Sequence, residues 1–408
     1  MRTVIVVGAS LAGLYAVREL RAQGYDGRVV VVGDEPHLPY DRPPLSKGFL
    51  TGDADQGQLA LSEREETAEL AAEWVLGTRA RALDTRGRTV VLDDGRVLAG
   101  DGIVIATGAS ARCLPGPPLA GVHTLRTLDD ARELRAELDH GPRRVVVIGG
   151  GFIGAETASS CAALGHDVTV VEAAPLPLVP QLGPEMASVC ARLHARGGVG
   201  LLTGVGVVAL RGAVGAGTAV TAVELSDGRL LPADVVVVGI GAVPNTDWLA
   251  GSPLALDDGV LCDDGCATAL PQVVAVGDVA RAGGIRAEHW TSATEQPRVA
   301  VRNLLAGRTV ESVRALPYFW SDQYGSRIQF AGRRGEGDSV RIVEGSADGV
   351  QDGPDVGGSG AVGGGNGFLA VYERMGRTTA VLAVDRARPF MKARRALAAE
   401  QAARLAEV

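Results

Sequence analysis

Short runs of branched apolar residues recur along this chain, each followed by a glycine-rich turn and a stretch with helical spacing. TVIVV at 3–7 leads into Gly8, Ala9, Ser10, Leu11, Ala12 and Gly13, then an amphipathic segment to about Gln23. RVVVV at 28–32 follows and closes on Gly33, Asp34 and Glu35. The outline returns at 144–148, with Gly149, Gly150, Gly151 and Gly154, a helical segment to about Leu164, and a strand at 168–171 that ends on Glu172. Runs this short predict buried strands, and their alternation with helical segments predicts parallel sheets covered by helices. GIVI at 102–105 and VVAV at 273–276 add two further apolar strands, ending near Ala106, Thr107 and Gly108 and near Gly277 and Asp278.

Strand, turn, helix, strand, acid is the order of a dinucleotide-binding fold. The first glycine permits the tight turn and the third lets helix and strand approach, while the helix N-terminus offers free amides to a pyrophosphate. All three fingerprint glycines, 149, 151 and 154, are present in the second copy; in the first, Ser10 replaces the middle one. Glu172 can accept from both hydroxyls of an adenosine ribose, and a 2′-phosphate there would meet like charge with no arginine at Ala173 or Ala174. NADH is therefore expected over NADPH at the second site. Glu35, or Asp34 beside it, would serve the ribose of the first nucleotide. The 102–108 and 273–278 stretches offer small residues where a long cofactor could lie, and Asp278 could accept from ribityl hydroxyls, which points to a flavin.

Length and composition narrow the class. The chain has 408 residues, enough for two or three units, with 46% hydrophobic and 22% charged residues. No segment supplies the roughly 20 apolar residues of a membrane span. The opening stretch imitates a leader peptide, but its pattern recurs internally, so it is read as strand and turn. A net charge of −8 argues against general nucleic-acid binding. Five cysteines at irregular spacing suit a reducing cytoplasm. Cys262 and Cys266 have no second pair and are read as unlinked residues beside a turn, so no metal is expected. No cysteine precedes Cys113, and Cys161 falls within the second helix outside any Cys-x-x-Cys, so no thiol pair stands ready to relay electrons.

With PYDRPPLSK from Pro39, EHWTSATEQ from Glu288 and PYFWSDQYG from Pro317 added to the two fingerprints, the chain resembles the putidaredoxin reductase type of flavoprotein, which passes electrons to two-iron ferredoxins. The likeness covers essentially the whole length. It implies an α/β protein with two Rossmann-like domains, the NAD domain (110–238) inserted in the FAD domain (1–109 and 239–317), and a C-terminal α+β domain (318–408). Residues 345–367 read as a mobile glycine-rich loop, 368–386 as strand, turn, strand, and the segment after it as a helix.

The resemblance also implies the site residues. Cofactor contacts would come from Gly8, Ser10, Leu11, Ala12, Gly13, Asp34, Glu35, Arg42, Lys47, Ala80, Ala106, Thr107, Gly108, Arg126, Gly277, Asp278, Trp290, Glu295, Gln296 and Trp320, and from Gly149, Gly151, Phe152, Ile153, Gly154 and Glu172. The prolines of DRPPLSKGFL suit a helix start that sets Lys47 near its first turn. The family places this lysine beside the reactive flavin edge, pairs it with Glu156, and puts Trp320 where electrons leave. These three would carry the chemistry: hydride from NADH to FAD, then single electrons to an acidic ferredoxin serving a haem monooxygenase or Rieske dioxygenase. Arg333, Arg334, Arg386, Arg388, Lys392, Arg394 and Arg395 are candidates for the basic docking face. The same folds serve rubredoxin or nitrite reductase components, NADH oxidases and signalling flavoproteins such as apoptosis-inducing factor, which remain alternatives.

Overall fold

The computed structural model describes residues 1–212, 219–314, 316–347 and 367–406. Its chain divides into two compact units: Met1–Asp41, Gln56–Ser110 and Ala242–Pro317 form the first, and Arg42–Asp55, Ala111–Gly241 and Tyr318–Val408 the second. This grouping differs from the sequence reading in placing 42–55 with the second unit and in joining the C-terminal region to it. The glycine-rich stretch read as a loop lies, apart from 345–347 and 367, outside the described residues.

The first unit is built on a five-stranded parallel sheet in the order Val273–Ala275, Gly102–Ile105, Thr3–Val7, Arg28–Val32, Ala72–Val75. Alternation along Thr3–Val7 decides its packing, because successive side chains leave a strand on opposite faces. Val4 and Val6 meet Leu14, Val17 and Leu20 of helix Leu11–Ala22 and Ala300, Val301 and Leu304 of helix Trp290–Ala306. Ile5 and Val7 meet Ile103, Ile105, Leu83, Val90 and Leu249. The stretch that imitates a leader is thus the middle strand of a buried sheet.

The second unit repeats the plan: Gly200–Thr203, Asp167–Glu172, Arg144–Ile148, Val235–Val238 and Val122–Thr124 form another parallel sheet. In both sheets the strand before the glycine turn has its helix-linked partner on one side and a later strand on the other. That is the switch point where ligands of open α/β sheets bind. Segment 42–55 is tied to this unit by Arg42 Nη1 donating to Arg126 O (2.6 Å), Ser160 Oγ to Ser46 O (2.6 Å) and Arg135 Nη1 to Phe49 O (3.2 Å).

The C-terminal strands form an antiparallel sheet in the order Tyr318–Gln323, Ser326–Gly332, Arg377–Val384, Phe368–Arg374, Ser339–Gly345. Its apolar face, with Ile328, Phe330, Phe368 and Tyr372, packs on Leu182, Met186, Val189 and Leu193 of helix Val179–Arg196. That helix breaks at Gly183 (φ +75) ahead of Pro184, and Tyr372 Oη donates to the freed Leu182 carbonyl at 2.6 Å. Helix Ala387–Ala406 follows. Among the described residues no helix is long and apolar enough to cross a membrane.

Candidate functional site

The two glycine turns are built alike, contact for contact. Gly8 donates its amide to Val32 O (2.7 Å) and Gly149 to Val171 O (2.8 Å). Ala106 donates to Val7 O (2.7 Å), and Gly239 to Ile148 O (2.8 Å). A Cβ on Gly8, at φ +121, would stand 2.0 Å from Ala106 O; one on Gly149, at φ +104, would stand 2.3 Å from Gly239 O. A Cβ on Gly13 would come 1.9 Å from Gly8 O, and one on Gly154 2.0 Å from Gly149 O. The outer glycines are thus demanded by the chain itself. The middle position is not. Gly151 has φ −67 and open space around a would-be Cβ, so glycine there is not required by the chain itself. Ser10, its counterpart, has φ −110 and starts helix Leu11–Ala22 without strain. Each cradle leaves backbone amides at a helix start facing the switch point, which suits a pyrophosphate.

The acids differ between the copies. The registers align Val7 with Val32 and Ile148 with Val171, so the structural counterpart of Glu172 is Gly33 rather than Asp34 or Glu35. At Gly33 a Cβ would meet Ala9 Cβ at 2.5 Å. Glu172 Oε2 accepts from Gly150 N and Oε1 from Ala174 N, each at 2.8 Å. In the first copy Glu35 accepts from Tyr40 Oη, whereas Asp34 pairs with the exposed Arg79 at 3.2 Å.

Lys47 and Glu156 meet within the second unit. Lys47 joins the 3-10 turn Pro43–Ser46 to the short helix Gly48–Thr51, so it sits between two helical pieces. Its Nζ lies 2.6 Å from Glu156 Oε2, with side-chain exposures of 21% and 3%. Glu156 is the fifth residue of helix Phe152–Ala163 and is buried, so it is not a solvated helix-start carboxylate. A carboxylate removed from water must be matched by donors. Ser46 Oγ supplies one to Oε2 at 2.6 Å, Ser321 Oγ one to Oε1 at 2.7 Å, and Asp322 N a longer one at 3.3 Å. Ser46 and Ser321 stand inside the quoted PYDRPPLSK and PYFWSDQYG motifs, which is the signal that could have singled them out.

The other expected residues each have surroundings within their own unit. Arg42 reaches Arg126 by its side chain, as above, and Asp130 Oδ2 accepts from the Arg126 amide at 2.9 Å. Trp290 Nε1 donates to Asp41 Oδ1 at 3.0 Å, and the ring meets Tyr15 edge-on with centroids 6.4 Å apart. Gly277, at φ +73, opens the turn that carries Asp278 and donates its amide to the buried Gln296 Oε1 at 2.7 Å. Gln296 therefore shapes the turn through its oxygen, while Glu295 beside it is exposed. Ala80 and Ala106 are buried and Ile153 is exposed. Phe152 packs on Phe319, centroids 4.8 Å apart, as part of the core under the C-terminal sheet. Trp320 stacks on Tyr318 at 5.7 Å with Arg327 over its ring at 5.9 Å.

Asn245 escaped the sequence reading. Its Nδ2 donates to Thr107 O while its own carbonyl accepts from Thr107 Oγ1, both at 2.8 Å, and its Oδ1 accepts from Ser110 Oγ at 2.7 Å. The Pro-Asn pair in AVPNT was the available sign of a clasped turn.

The docking arginines are not equivalent. Arg334 Nη2 donates to the carbonyls of Val179 and Pro180 at 3.2 Å each, and Arg386 Nε to Gly367 O at 3.1 Å. Arg394 lies over the Tyr318 ring at 4.2 Å. Arg388, Lys392 and Arg395 are exposed and, with Ala387 and Met391, line a shallow depression of about 390 Å³ on one helix face. All five cysteines are free thiols. Burial pushes Cys161, Cys190 and Cys262 up to about 12, so these remain protonated.

The sequence profile of the pyridine nucleotide-disulphide oxidoreductases matches residues 2–298. The chain is 34% identical over 407 residues to rhodocoxin reductase of Rhodococcus erythropolis, covering 98% of this chain and 90% of that protein. It is 38% identical over 346 residues to the ferredoxin–NAD(+) reductase component of the anthranilate 1,2-dioxygenase system of Burkholderia cepacia, covering 83% and 84%. Among solved structures, the covalent putidaredoxin reductase–putidaredoxin complex matches with a TM-score of 0.86 at 32% identity, covering 97% of this chain and 93% of that one.

Proposed function

Because this chain belongs to the pyridine nucleotide-disulphide oxidoreductase family, we propose that it is an NADH-dependent, FAD-containing ferredoxin reductase. Its acceptor is a two-iron ferredoxin that serves a haem monooxygenase or a Rieske dioxygenase. The observation that carries this reading is the doubled cradle: two turns whose outer glycines exclude any side chain, each at the switch point of its own parallel sheet. One such turn would bind one dinucleotide; two suit FAD and NADH.

FAD, when bound, takes electrons in a pair and gives them up singly, which is what a nicotinamide donor and an iron-sulfur acceptor require. The chain supplies position and charge. Residues 1–109 and 239–317 would hold FAD and 110–238 would hold NADH, with 318–408 as the C-terminal domain. Glu172 accepts from the adenosine ribose and repels a 2′-phosphate. Glu156 fixes Lys47, and Lys47 supplies a fixed positive charge for the anionic reduced cofactor. No cysteine pair relays the electrons, so they leave to an external protein, past Trp320. The free thiols fit a cytoplasmic setting.

The test is anaerobic. The purified yellow protein should bleach on adding NADH, far more slowly with NADPH, and should then reduce a two-iron ferredoxin much faster than it reduces oxygen. Protein that lacks flavin, or that bleaches yet reduces oxygen faster than any ferredoxin, would overturn the assignment.

A further inference from the structure

Ser321 has no assigned task in the reaction above, yet it is fully buried and its hydroxyl reaches Glu156. One face of strand Tyr318–Gln323 is matched to one face of helix Phe152–Ala163. Residues two apart share a strand face, and residues four and seven apart share a helix face. Phe319 packs on Phe152, Ser321 bonds Glu156, and just beyond the strand the amide of Tyr324 donates to Ser159 Oγ at 2.7 Å.

The direction of the Ser321 hydrogen bond is set by its neighbour. Gln323, also buried, donates Nε2 to Ser321 Oγ at 3.1 Å. With that bond occupying an oxygen lone pair, the single hydroxyl proton goes to Glu156 Oε1. The carboxylate is then held from both sides, by Ser321 on Oε1 and by Ser46 and Lys47 on Oε2. Without Ser321, Oε1 keeps only the 3.3 Å contact with the Asp322 amide. The terminal torsion of a glutamate is broad, so the carboxylate plane would no longer be specified.

We propose that Ser321 is a positioning residue for hydride transfer from NADH: it fixes the plane of the Glu156 carboxylate and through it the ammonium of Lys47. The C-terminal sheet thereby takes part in the NADH half-reaction. This rests on the function proposed above, and the experiment separates the two.

Ser321→Ala, Ser321→Cys and Ser321→Thr would be made in the wild-type and Glu156→Gln backgrounds. Three quantities are read: NAD+ affinity by equilibrium titration, the limiting rate of anaerobic bleaching at saturating NADH, and the thermal midpoint. For Ala and Cys the limiting rate should fall roughly 10- to 100-fold, the effect of losing one hydrogen bond to a charged group, with NAD+ affinity within a factor of about two. Thr, which keeps the hydroxyl, should recover most of the rate. In the Glu156→Gln background Ser321→Ala should change the rate less than about twofold, and the shifts in thermal midpoint should be non-additive. Wild-type bleaching in Ser321→Ala, or an equal loss with and without Glu156, would overturn the positioning role. Wild-type protein that NADH does not bleach would overturn the proposed function instead, while the thermal cycle would still report the contact.

Discussion

Glu172 holds the amide of Gly150 at 2.8 Å, so the acid that ends one strand is tied to the glycine turn that ends its neighbour. With its other oxygen on the Ala174 amide, the carboxylate is preset before any ribose arrives. Replacing Glu172 by Ala or Arg should therefore do two things. Loss of the charge should lower the NADH-to-NADPH ratio of kcat/KM at least about tenfold, the value of one charge-assisted contact. Loss of the Gly150 anchor should raise the KM for NADH itself. Glu172→Gln, which retains one carbonyl acceptor, should preserve more NADH affinity than Ala. An unchanged ratio in all three would remove Glu172 from nucleotide selection.

The thiols give a second expectation. Cys113 is exposed, while Cys161, Cys190 and Cys266 are buried and desolvation raises all three. Cys262 is partly exposed, yet it too is pushed up to about 12. A disulfide-exchange reagent at pH 8 should titrate one thiol rapidly in the native protein and five after denaturation. Cys113→Ser should abolish the rapid phase, and alkylated protein should reduce ferredoxin at the untreated rate. Loss of turnover on alkylation would point to a thiol in the electron path.

Burial of His194 predicts how stability changes with pH. Its ring is 2% exposed, Tyr324 Oη lies 2.8 Å from Nδ1, and desolvation lowers its pKa to about 4. The unfolded chain binds this proton near pH 6.5 and the folded chain only near 4, so the contribution is complete above 6.5 and is lost as pH falls toward 4. Between pH 7 and 4.5 this amounts to roughly 2 kcal/mol. Urea unfolding of His194→Gln should show a drop over that interval smaller than wild type by about this amount. Equal drops would mean that His194 is protonated in the fold.

What could be read from the sequence follows from the range of the interactions concerned. Gly13 and Gly154 are required by clashes with the Gly8 and Gly149 carbonyls inside the same turn, and Gly8 and Gly149 hold positive φ there, so pattern alone reveals the turns; the further clash of Gly8 with Ala106 O and of Gly149 with Gly239 O is long-range. Ser10 departs from that pattern at the middle position, where the chain itself leaves room for a Cβ beside Gly151 and glycine serves the approach of a pyrophosphate. The partners of Glu156 are another matter: Ser46 and Ser321 lie 110 and 165 residues away, and no periodicity links them. Arg334 reads as a surface cation until the break at Gly183 exposes carbonyls for it to cap. Phe152, implied as a cofactor contact by the resemblance, also packs on Phe319 of the C-terminal sheet, a partner far along the chain that no local pattern reveals.

The candidate docking cations differ in how the fold engages them. Arg334 and Arg386 are engaged by backbone carbonyls, and Arg394 by Tyr318, so reversing them would disturb packing as well as charge. Arg388, Lys392 and Arg395 project from one face of helix Ala387–Ala406 around Met391, which is 36% exposed. An apolar centre ringed by cations suits a small acidic protein, and steering by such a ring weakens with salt. The double variant Arg388→Glu, Lys392→Glu should lower kcat/KM for a two-iron ferredoxin by about tenfold or more at low ionic strength and flatten its salt dependence. Ferricyanide, which needs no docking face, should be reduced at the wild-type rate, and anaerobic bleaching by NADH should be untouched. If ferricyanide and ferredoxin rates fell together, the substitutions would be acting on the cofactors; if neither fell, the ferredoxin approaches elsewhere.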